Sequence, residues 1–160
     1  MPKLAEALVE RKALQERLTR LHARLAASAR VQEGDRPAEQ PGALIEEAGR
    51  VLADIKRLTI AINRTNMQAA LPGSTDGTSL MEAIAERDRL RDERRALEQL
   101  NEAARIEPSR GYGMTRNEIK WKATVDVADL QKQIDALSQS YRLLDTRIQE
   151  ANWSIDLIQN

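Results

Sequence analysis

Asn63, Arg64, Thr65 and Asn66 set two amides, a guanidinium and a hydroxyl in a row, within "INRTN", where a helix should be most apolar. A second polar group, Asp145, Arg147, Gln149, Glu150 and Asn152, flanks an apolar seam within "LDTRIQEANW". Carboxylate and amide oxygens of this kind suit a hard cation such as Mg²⁺ or Ca²⁺, or a small polar ligand. The same residues also have a structural use. A buried asparagine costs stability unless its amide is hydrogen-bonded, and in a coiled coil it fixes register and the number of strands. A polar layer joining Asn63 and Asn66 to Asp145, Gln149 or Asn152 explains both groups together; ordinary helix surface near a helix end explains each separately.

A third cluster, Arg116, Lys120, Trp121 and Lys122 in "TRNEIKWKATV", combines cations with an aromatic ring. In a single-stranded nucleic-acid binder Trp121 would be a stacking platform; otherwise it covers the end of a bundle while the charges face water. The rest of the chain is not basic, since 25 Lys and Arg balance 25 Asp and Glu. Binding through phosphates rests on a basic excess, so no nucleic-acid partner is expected. Other chemistries lack their parts. His22 is the single histidine and has Thr19 three residues before it, which rules out the paired Glu-x-x-His motifs of di-metal bundles. No G-x-S-x-G, P-loop or dinucleotide fingerprint occurs. The absence of cysteine excludes disulfides, thiolate metal sites and cysteine nucleophiles. The balance leans away from an enzyme, and neither a metal nor a cofactor is expected.

The elements that must position these residues are helices. Apolar residues make up 41% of 160 residues and charged residues 31%, with no phenylalanine and four aromatics in all. Leucine, isoleucine and alanine carry the apolar content, which suits long helices meeting along seams. Val127, Leu130, Ile134, Leu137, Tyr141, Leu144, Ile148, Ala151, Ile155 and Ile158 alternate in steps of three and four, the spacing of a supercoiling helix. Asp126 is its expected N-cap. A first helix from about Lys3 to Val31 shows Leu4, Leu14, Leu18, Leu21 and Leu25, with Arg11 interrupting. "QEGDRPAEQPG" breaks it, and a second helix follows from about Ala43, with Leu44, Ala48, Val51, Ile55, Leu58 and Ile62 on one face. Ser79 and Glu82 read as a capping box opening a third helix. There Ala83, Leu90, Leu97 and Ala104 recur every seven residues, while the positions between them fall on Glu86 or Arg87 and Glu93 or Arg94. Those charges either form a solvated face or send an arginine inward to a carboxylate on a neighbouring helix.

The spacing therefore predicts an all-α chain. Two long antiparallel hairpins, about 3–71 and 79–159, form a four-helix, coiled-coil-like bundle in a single domain spanning 1–160. A short β-hairpin or extended loop is expected near 109–125. No run of apolar residues reaches the ~18–20 needed for a membrane span, and the polar faces mix both charges, so no membrane partner is expected. The N-terminal stretch does not read as a signal peptide, which makes a cytoplasmic setting the expectation.

"KLAEALVERKAL", "ARVQEGDRPAEQP", "INRTN", "AIAERDRLR", "IKWKATVDVADL" and "LDTRIQEANW" resemble, in that order, a family of bacterial proteins of which some carry the label "septicolysin". The resemblance runs from about residue 3 to about residue 157. It implies an all-helical, coiled-coil protein that assembles with itself, with hexamers favoured. It supplies no catalytic residue. The label suggests a thiol-activated pore-forming toxin, yet this chain has neither a cysteine nor a tryptophan-rich undecapeptide. The leading expectation is a non-catalytic, homo-oligomeric structural or interaction protein. The alternative is a small-ligand or metal-binding module, or an enzyme, built on the polar layer and the 109–125 loop.

Overall fold

A computed structural model describes residues 1–105 and 121–159. Four helices stand among the described residues: α1 (Leu4–Ser28), α2 (Pro41–Gln68), α3 (Leu80–Ala104) and α4 (Val127–Ser154). The fold is all-α, and none of these helices is long and apolar enough to cross a membrane. The β-hairpin expected near 109–125 is not borne out. Residues 121–125 form no strand, and residues 106–120 lie outside the described residues, Arg116 and Lys120 among them. Trp121 and Val125 alternate like a strand, but among the described residues no ladder partner satisfies the backbone of such a stretch.

Local chemistry sets the helix ends. Pro41 opens α2, where its missing N–H costs nothing and its fixed φ fits the first turn. Asp126 caps α4 as expected, its Oδ1 accepting from the backbone N–H of Ala128 at 2.9 Å and of Asp129 at 3.1 Å. Glu6 reaches back to accept from the Lys3 backbone N–H at 2.7 Å. The turn between α2 and α3 closes on itself. Leu71 N–H donates to Thr78 O at 2.9 Å and Leu80 N–H to Ala69 O at 2.8 Å, with Gly73 and Gly77 at positive φ where side-chain-bearing residues are strained. Inside it, Asp76 accepts from Ser74 and from the Thr78 hydroxyl and backbone N–H. These donors hold its carboxyl well below the usual carboxylate range.

The chain divides into two compact units, Met1–Met81 with Ile148–Asn160, and Glu82–Arg147. In the first unit α1 and α2 run antiparallel, since Arg17 pairs with Glu47 at 2.7 Å and Arg24, further along, with the earlier Glu39. Between these pairs Leu21, Leu44, Ala48 and Val51 are buried, with Leu14, Leu18, Leu25 and Ile55 packed against them. Fully burying a leucine or valine of this set stabilises the fold by roughly 1.5–3 kcal/mol relative to exposure. In the second unit α3 and α4 are also antiparallel: Arg87 contacts Asp145 at 3.3 Å, while Asn101 donates to Gln131 Oε1 at 3.1 Å. The seam read from the sequence of α4 is buried or half-buried at every position from Val127 to Ile158. The helix nevertheless ends at Ser154, short of the last two apolar positions, because residues 155–158 leave helical geometry to pair with the start of the chain.

Candidate functional site

That pairing forms the closed end of the first unit. Leu4 N–H donates to Ile155 O at 3.0 Å and Leu157 N–H to Pro2 O at 2.8 Å, an antiparallel bridge centred on Lys3 and Asp156. The Lys3 ammonium donates to Ser154 O at 3.0 Å and to Asp156 Oδ1 at 2.8 Å, and this ion pair holds the Asp156 carboxyl below its ordinary value. Beneath the bridge lies Thr65, the third residue of the polar run and fully buried. Its hydroxyl donates to Ala61 O at 2.8 Å and accepts from Ile158 N–H at 2.9 Å. The first bond is the local habit of a helical threonine. The second reaches 93 residues along the chain and satisfies a backbone donor that the helix no longer serves.

The remaining residues of the polar layer are distributed around this point. Asn63 is exposed, Arg64 and Asn66 are half-buried and Gln149 is exposed, whereas Asn152 is buried. Asp145 belongs to the second unit, where it pairs with Arg87. Among the described residues no group of three His, Cys, Asp or Glu side chains gathers as a metal site would require. Trp121 stands 83% exposed, beside a shallow cleft that also includes Leu100, Ala104, Arg105 and Lys122.

One feature is not among the residues singled out from the sequence, and a second decides between two readings that the sequence leaves open. The first is a stripe on α2, where Ile45, Leu52, Ile60 and Met67 are 48% to 61% exposed. Steps of seven and eight place them on one face, roughly 120° round the helix from the buried row and about 33 Å long. Gly49, Lys56 and Asn63 fall in the same stripe. Its signal was present in the sequence as a second apolar period on α2, overshadowed by the stronger one. The second is the seam of α3. Of the adjacent pairs Glu86/Arg87 and Glu93/Arg94, the arginines are the half-buried members in both, with Asn101 seven residues on. Burial works against the charge of Arg87, but Asp88 at 2.8 Å and Asp145 at 3.3 Å outweigh it and raise its pKa. Arg94 lies over the Tyr141 ring, 5.7 Å from its centroid. Its Nε is 3.3 Å from Glu98 yet makes no hydrogen bond, because the contact is close without being aimed.

The family model described as "Family of unknown function (DUF6847)" matches residues 11–157. No curated protein matches the chain. Among solved structures it is similar to a functionally unknown conserved protein from Corynebacterium diphtheriae, with 35% identity, 98% of this chain and 99% of that chain covered, and a TM-score of 0.87. The chain thus belongs to the family of unknown function DUF6847.

Proposed function

We propose that this protein is a non-catalytic, self-assembling helical protein, and that α2 is the helix through which copies associate. The observation that carries this reading is the exposed stripe of Ile45, Leu52, Ile60 and Met67. Contiguous apolar faces on a monomer mark interaction sites when they outgrow the scattered surface leucines every protein has. A stripe that follows one helix face for about 33 Å is matched by another helix rather than by a small molecule. A second copy of this chain is the occupant that supplies such a helix at equal concentration, and closed symmetry is the usual outcome. Asn63 sits within the stripe, where an amide facing a neighbouring copy fixes register and stoichiometry at some cost in stability.

Light scattering behind a sizing column, across a dilution series, tests the reading. The expected result is one oligomeric mass that persists on dilution. Changing Leu52 and Ile60 together to glutamate should then give an 18.0 kDa species with undiminished helicity. The wild-type chain behaving as that monomer at every concentration overturns the proposal. For the register role, Asn63→Leu should raise thermal stability while spreading the oligomer into several sizes. A single unchanged species with unchanged stability would leave Asn63 no such role.

A further inference from the structure

Along the flank of the first unit, ion pairs join α1 to α2 and to the segment just before it, with the arginine on α1 in both: Arg17 with Glu47 and Arg24 with Glu39. Nearer the closed end the polarity reverses. Here α1 supplies Glu6 and Glu10, and α2 supplies Arg57, but the charges do not meet. Arg57 contacts Asp54 on its own helix at 3.0 Å, Glu6 accepts from the Lys3 backbone, and Glu10 forms no ion pair among the described residues. All three instead line a cleft of about 330 Å³. Its apolar lining comes from Ala7, Leu58, Ala61 and Leu157, all buried, together with the exposed Pro2. Ala7 and Ala61 line this hollow with small side chains.

We propose that this cleft binds a small aliphatic zwitterion, a free amino acid of about leucine's size. The ammonium would face Glu10 and Glu6. The carboxylate would face Arg57, whose planar fork keeps donors free beyond those used by Asp54. The aliphatic body would lie over Ala7, Ala61 and Leu157. The volume sits at the small end of ligand pockets (~300–1,000 Å³). The cleft lies on the other side of α2 from the assembly stripe, so the two roles do not compete for surface.

Saturation-transfer NMR on the intact chain, titrated with L-leucine, is the test. Saturable binding at millimolar concentration is expected, with the leucine methyls receiving the strongest transfer. Leucinamide, which lacks the carboxylate, and 4-methylpentanoate, which lacks the amine, should each bind roughly tenfold more weakly. Glu10→Gln and Arg57→Gln alter exposed side chains that the fold does not need, and each should weaken leucine by a similar factor. Ala61→Leu should abolish binding by filling the hollow. No saturable transfer at millimolar leucine overturns the proposal. So does equal binding of leucine and both analogues, or leucine binding unchanged in Glu10→Gln and Arg57→Gln.

Discussion

The two hairpins solve the same packing problem with different materials. Between α1 and α2 the facing positions are leucine, isoleucine, valine and alanine, with Leu21, Leu44 and Val51 almost wholly buried. Between α3 and α4 every second seam position is polar: Arg87, Arg94 and Asn101 alternate with Leu90 and Leu97. The first seam gains from apolar transfer, which accumulates residue by residue. The second relies on interactions whose net worth in water is small, since each group gives up solvent to gain its partner. The contrast is sharpest in one residue of each. Thr65 is fully buried with its hydroxyl both donating and accepting. Asn101 is 5% exposed, and its amide N–H donates to Gln131 while its oxygen is buried without a partner. One buried polar group stabilises its surroundings; the other is tolerated.

The comparison can be broken most directly at the apolar seam. Leu21→Ala should cost about 2–5 kcal/mol in chemical denaturation, and a loss well below that range would mean the first hairpin is not held by its leucines. Thr65→Val comes next, at about 1–3 kcal/mol, because it strands the Ile158 N–H. Faster amide exchange at Ile158 and Leu4 should accompany it, and an unchanged exchange rate there would remove the hydroxyl from its bridging role. Asn101→Leu should run the other way, neutral or stabilising by about 1 kcal/mol, since it removes an orphaned acceptor and leaves Gln131 to solvent. Opposite signs at Thr65 and Asn101 are the sharpest form of the contrast; a clear destabilisation at Asn101 would erase it. The smallest effect belongs to Asp156, whose carboxyl is held below its ordinary value by Lys3. A depressed carboxylate contributes stability above its unfolded pKa, about 4, and loses it as pH falls through the lower folded value. The difference between wild type and Asp156→Asn should therefore be present at neutral pH and vanish in acid.

Much of this architecture was legible from spacing alone. The ten apolar positions from Val127 to Ile158 are all at least half-buried, and Asp126 caps where a short acceptor side chain before an apolar period should. The third helix was half legible. Glu86 and Arg87, like Glu93 and Arg94, are neighbours about 100° apart on the helix, and either could border a seam anchored by Leu90 and Leu97. Only the position of Asp145, 58 residues away, and of the Tyr141 ring decides for the arginines. The polar run at 63–66 reads as a unit in the sequence, whereas the structure separates its members. Thr65 points to a backbone donor that becomes available only because α4 stops at Ser154, and no local pattern in the run announces that stop. Asn63 lies in an apolar stripe whose period was visible but whose exposure was not.

The bridge between Pro2–Leu4 and Ile155–Leu157 has a consequence in time. Lys3 and Asp156 are 153 positions apart, so this contact carries a large loop-closure cost. During synthesis at ~5–20 residues per second, α1 and α2 can pair within seconds of emerging, but Leu4 and Thr65 wait for residues made at the far end. For that interval the first hairpin exists with its end uncapped, its buried threonine open to solvent. Completion of the first unit, rather than its initiation, thus waits for residues 155–158.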